Sequence, residues 1–178
     1  MKRIAFAFIL PLMAHAGNLD LVLGGVMDFN KTTTVGRALE SWESCEIPLW
    51  SEFVTKSSIN VVEFSCQHKI DPFVERIKSY VSKKMAKEDY LKIASIKQTF
   101  QFTINMDNTF QIANSSSVLT WTDGTSYSVY WEPISALEDA YANSKPFDPD
   151  TLNFISANEI AAYYQMLKPK KLYKKPSR

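Results

Sequence analysis

FQFTINMDNTFQI, residues 100–112, holds the pattern that decides the fold. Phe100, Phe102 and Ile104 alternate with Gln101 and Thr103, the period of a half-buried strand. Phe110 and Ile112 resume the alternation after Met106-Asp107-Asn108. A two-residue turn would place the two apolar sets on opposite faces. A three-residue loop instead pairs Ile104 with Phe110 and Phe102 with Ile112, and it asks Asn108 to sit near the left-handed region. The stretch therefore predicts a hairpin with one apolar face, the start of an antiparallel sheet.

The pattern repeats on both sides. VLTWTDGTSYSVYW (118–131) reads as a second hairpin, and Asp123-Gly124 is the strongest turn signal in the chain. On that reading Tyr127, Val129 and Trp131 share one face, while Trp121 and Tyr130 share the other. Both faces cannot be fully wet, so one set is core. The other is covered by the C-terminal helices or forms a recognition surface for peptide or glycan. Trp121, Tyr127, Tyr130 and Trp131 are thus the candidate binding residues. Upstream, Trp50 to Thr55 and Asn60 to Gln67 predict another hairpin across Lys56 to Ile59. Residues 19–29 read as an extended lead-in broken by Gly24-Gly25.

Helical signals lie between these strands. Val35, Ala38, Leu39 and Trp42 form one stripe of a helix beginning near Thr34. Asp71-Pro72 opens a second helix with Asp as N-cap, and Phe73, Val74, Ile77, Tyr80 and Val81 face inward. A third helix runs from Pro133 to Asn143. Ser156 and Glu159 form a capping box for a fourth, ending at Leu167. The prediction is a single α+β domain over residues 17–167: an antiparallel sheet of five to six strands with helices packed on it.

The ends carry an address and a charge contrast. MKRIAFAFILPLMAHA (1–16) has two cations, a short apolar run and Ala14-His15-Ala16, the layout of a secretory signal peptide. Its apolar run is about half the roughly 20 residues a spanning helix needs. No later stretch is long and apolar enough to cross a membrane. The expectation is a periplasmic or secreted protein, soluble after cleavage. The net charge of +1 conceals 12 basic against 19 acidic residues, a net −7, between Gly17 and Leu167. KPKKLYKKPSR (168–178) adds six positive charges through Lys168, Lys170, Lys171, Lys174, Lys175 and Arg178. This tail reads as disordered, free to touch an anionic surface or an acidic partner. Export makes nucleic acid a poor candidate.

An exported chain with two cysteines points to a disulfide. Val62, Phe64 and Cys66 lie on the apolar face of a strand, and Cys45 ends the first helix. A helix lying on that face would join the sulfurs, and the closed loop is worth about 3 kcal/mol in the chain-entropy estimate.

Together, FNKTTTVGRALESWESC (29–45), Trp50-x-x-Phe53, VVEFSC (61–66) and FQFTINMDNTFQI resemble a family of small exported or lipid-anchored bacterial domains. The resemblance covers roughly residues 20–113 and implies architecture only. The family has no assigned catalytic residues to transfer, and this chain lacks the lipobox cysteine of its anchored members.

Chemistry is sparse. Nucleophilic triads need a base beside the nucleophile, yet His68 is the only histidine after the signal segment, and it reads as a surface residue. Five glycines and no phosphate-binding loop exclude a dinucleotide site. A zinc site needs more ligands than one histidine and two committed thiols supply. Asp148, Asp150 and Asn153 lack the spacing of a calcium loop. The expectation is therefore no catalytic residue, metal or cofactor. The leading reading is a non-enzymatic periplasmic binding protein with a protein partner in the envelope: a secretion-assembly or envelope adaptor, or an inhibitor. The alternative is a carboxylate-dependent hydrolase of envelope glycan, which needs two acids converging in a cleft.

Overall fold

The computed structural model describes residues 17–83, 89–144 and 154–167. Residues 1–16, 84–88, 145–153 and 168–178 lie outside them, and with them the expected signal peptide, Asp148, Asp150 and Asn153, and the basic tail. In chain order the elements are α1 (Asn18–Gly24), β1 (Val26–Met27), β2 (Asn30–Thr34), α2 (Val35–Glu40), β3 (Cys45–Val54), β4 (Asn60–His68), α3 (Asp71–Tyr80), β5 (Ile93–Ile104), β6 (Phe110–Trp121), β7 (Ser126–Trp131), α4 (Pro133–Tyr141) and α5 (Phe154–Leu167). β1 and β2 pair by themselves, and β3 to β7 form one antiparallel sheet in chain order. The class is α+β, as the alternation of patterns predicts.

Three hairpins share one loop geometry. Thr55 bonds Ile59 across residues 56–58, Asn105 bonds Thr109 across 106–108, and Trp121 bonds Thr125 across 122–124. In each, the third loop residue takes positive φ: Ser58 at 60°, Asn108 at 59° and Gly124 at 85°. The central register is the expected one, Ile104 opposite Phe110 and Phe102 opposite Ile112. At 122–124 the third loop residue moves the pairing by one, so Leu119 faces Tyr127. A one-residue slip turns a side chain to the other face. Trp121 therefore shares the face of Tyr127 and not, as expected, that of Tyr130.

These loops give a signed prediction. Ser58 pays the left-handed penalty that glycine avoids, roughly 1 kcal/mol. Ser58→Gly should raise stability by about 0.5–1 kcal/mol, and Gly124→Ala should lower it by about 1–2 kcal/mol. Urea unfolding midpoints check both, and equal signs would refute the shared geometry.

The five α-helices among the described residues lie on one face of the sheet. α1, α2 and α4 bury Val22, Val35, Leu39 and Leu137 against Val62, Phe64, Phe100 and Phe102. α3 and α5 bury Phe73, Ile77 and Tyr164 against Ile96, Leu119 and Trp121. A polar seam separates the two clusters. Gln98 donates to Ser115 Oγ at 2.8 Å and accepts from Ser117, and Trp131 Nε1 donates to Ser117 at 2.7 Å. Buried polar groups are tolerable when satisfied in this way.

Several boundaries differ from expectation: Asp71, expected as an N-cap, is the first residue of α3, and Ile70 precedes it without a side-chain cap. The lead-in is helical because Leu19, Val22 and Leu23 recur at helical spacing. Gly24-Gly25 ends that helix, and the Phe110 ring packs where a Gly25 side chain would stand. α5 begins at Phe154, ahead of Ser156, so the expected capping box falls inside the helix.

Candidate functional site

The disulfide joins Cys45 and Cys66, with Cα atoms 5.6 Å apart. Its setting differs from the expected helix–strand staple. α2, capped by Thr34 Oγ1 accepting from Arg37 N–H, ends at Glu40. A tight turn then lets Cys45 N–H donate to Trp42 O at 2.9 Å, which makes Cys45 the first residue of β3. A bulge between Cys45 and Ile47 lets Cys45 reach Cys66, whose direct partner on β3 is Pro48. The staple therefore ties two neighbouring strands.

His68 is buried, not on the surface. It continues the inward set Val62, Phe64 and Cys66, an alternation visible in the sequence. The Trp42 ring meets it edge-on at 4.7 Å. Nδ1 lies 3.2 Å from both Ser44 O and Ser44 Oγ, and 3.7 Å from Cys66 Sγ. A proton on Nδ1 donates to the Ser44 carbonyl. Nε2 is buried without a hydrogen-bond partner among the described residues. Burial pushes the His68 pKa down to about 4, and the Ser44 backbone bond opposes that only in part. A ring whose pKa burial holds near 4 is a weak base, and with Nε2 unpartnered among the described residues His68 serves to pack against Trp42 and Cys66.

The four candidate aromatics do not form one surface. Trp121 is 1% exposed, packs 5.2 Å from the Tyr164 ring and donates from Nε1 to Tyr90 O at 2.7 Å. Tyr127 stacks on Tyr163 of α5 at 4.3 Å, and its hydrogen bond with Tyr163 raises its pKa. Trp131 is half-exposed and held by the seam. Tyr130 is 76% exposed and stands on the opposite side of the sheet.

That opposite side is the feature the sequence reading missed. No described helix packs on it. One row crosses all five strands: Leu49, Ser65, Thr99, Ser116 and Tyr130. In the next, Gln101 Nε2 donates to Glu63 Oε2 at 2.8 Å and Asn114 Nδ2 donates to Gln101 Oε1 at 3.2 Å. The centre is hydroxyl- and amide-rich. Its large exposed aliphatic residues and Phe53 gather on edge strand β3, where Ile47, Leu49 and Phe53 are exposed, with Val61 buried beside Phe53. Antiparallel sheets commonly leave one face to water. The polar partners of the alternating Phe and Ile residues were its signal.

Elsewhere, a shallow depression beside α1 and α2 is lined by Leu23, Thr34, Gly36, Arg37, Glu40 and Ser41. It holds one carboxylate, where glycan hydrolysis needs two. Among the described residues no three His, Cys, Asp or Glu side chains gather to hold a metal. No described helix is long and apolar enough to cross a membrane. Comparison with family models, curated proteins and solved structures finds no match to this chain.

Proposed function

We propose that this chain is an exported, non-enzymatic binding protein of the bacterial envelope, of the kind its motifs resemble. It would serve as an adaptor of an envelope or secretion assembly, or as an inhibitor of another protein. The observation that carries this reading is the sheet face that no described helix covers, polar at its centre and apolar along β3. Exposed apolar area rimmed by polar groups marks interaction surfaces. The disulfide fits an oxidising compartment.

The test expresses the full chain in a bacterium, fractionates the cells and sequences the mature N-terminus, expected at Gly17 in the periplasm. Immobilised protein should then retain an envelope protein that Ser116→Arg, on β6 of the open face, loses at least tenfold, about 1.4 kcal/mol. Equal recovery at an unchanged melting temperature would refute the surface.

The basic tail adds an electrostatic contact in the same proposal. Each cation near an anionic surface is worth roughly 1 kcal/mol. Deleting residues 168–178 should weaken sedimentation with anionic vesicles, less so as salt rises, and leave the melting temperature nearly unchanged.

A further inference from the structure

We propose that the outer edge of β3 accepts, as a sixth strand, an extended partner segment in which apolar residues alternate with cationic ones. This rests on the binding-protein reading and names its partner chemistry.

The backbone supplies the first argument. Thr55 N–H donates to Ile59 O at 2.9 Å. Along an antiparallel pair, bonded and unbonded positions alternate. Phe53, Ser51 and Leu49 therefore turn their amides toward β4, while Val54, Glu52, Trp50 and Pro48 turn theirs outward. Pro48, which has no N–H, occupies one of the outward slots, where a strand tolerates it. Among the described residues no backbone bond reaches the outward groups of Trp50, Glu52 and Val54.

Edge protection supplies the second. The bulge at Cys45–Ile47 and Pro48 blunt the first part of the strand, as natural edges are blunted. From Leu49 to Val54 only Glu52 interrupts an open template.

Charge decides the occupant. Between Arg37 and Lys56 the chain has four acids, Glu40, Glu43, Glu46 and Glu52, and no cation. Glu46 and Glu52 are exposed and have no ion-pair partner among the described residues. Opposite charges across neighbouring strands attract, and like charges repel. A cation opposite Glu52 and apolar residues opposite Leu49 and Phe53 satisfy both faces of β3. A second copy of this chain would bring its own Glu52 and Pro48 to the edge, adding like charge and losing a bond. The alternation suits strand addition, in which main-chain bonds give affinity and alternate side chains give selectivity.

The test is an amide NMR titration of the isotope-labelled protein. The probes are synthetic peptides of roughly eight residues, a usual strand length: alternating lysine and valine, alternating glutamate and valine, and a lysine block followed by a valine block. The alternating cationic peptide should shift the amides of Trp50, Glu52 and Val54, with affinity falling as salt rises. Glu52→Gln should weaken it roughly threefold, and Glu52→Pro, which also removes an outward N–H, should abolish it. Leu49→Ser, expected to weaken it several-fold, covers the case in which Glu52→Pro does not fold. Shifts confined to Thr99, Ser116 and Tyr130 would overturn the edge site and leave the open-face reading standing. Concentration-dependent shifts at the β3 amides without peptide would overturn it in favour of self-pairing. Equal binding of the three peptides, or no binding at low salt, would overturn it outright.

Discussion

Replacing Cys45 and Cys66 together with alanine should lower stability by about 2–5 kcal/mol, the usual cost of losing a native disulfide in a small secreted domain. The pair spans a sequence separation of 21, for which chain entropy alone gives about 3 kcal/mol. Cys66 is also fully buried, so the truncation adds a small cavity to the main cluster. For a chain of this size the melting temperature should fall by roughly 5–15 °C. The measurement is a thermal scan of both proteins without reductant, with the wild type repeated under reductant. Matching melting temperatures for oxidised wild type and variant would mean that the bond constrains nothing. Non-reducing peptide mapping should recover one linked pair through Cys45 and Cys66.

Acidification should produce the second large effect. In the folded chain His68 has a pKa of about 4, against an ordinary value of 6.5. The unfolded chain therefore binds a proton between those values while the folded chain does not. The His68 contribution is fully present above pH 6.5 and is lost as pH falls toward 4, by about 3 kcal/mol in all. Denaturant unfolding of wild type and His68→Gln at several pH values from about 7.5 down to about 4 isolates it, because the carboxylates titrate alike in both. The wild type should lose stability faster than the variant across that window. A ring whose NMR resonances titrate near 6.5 would contradict the burial.

The strands were the most legible part of the fold, for a physical reason. Phe100, Phe102 and Ile104 can share a face with Phe110 and Ile112 in only one register, so burial and loop length had to agree. Asp123-Gly124 carried no such constraint, since the dipeptide suits both a two-residue turn and a three-residue loop with glycine in the left-handed position. That ambiguity misplaced Trp121 and with it the view of the candidate aromatics. α1 was hidden by its brevity and its paired glycines. His68 was misjudged because the strand was ended one residue early. The open face was hidden because alternation tells which residues are polar but not whether a helix covers them. The cysteine pairing was readable from their number, while the strand-to-strand geometry depended on where α2 stops.

The coincidence of sheet order with chain order has a kinetic consequence. Every strand of the main sheet finds its neighbour next along the chain, and three of the four junctions need only a three-residue loop. Closure entropy grows with loop length and low contact order speeds folding, so the three hairpins can close early. The slow step is then the meeting of β4 with β5, which must bring together residues on either side of α3. With two cysteines in the chain, a single intramolecular pairing exists, and it bridges the two strands of the first hairpin. Oxidation before folding is complete cannot trap a wrong cross-link within the chain, so the oxidative step needs no disulfide isomerase to correct it.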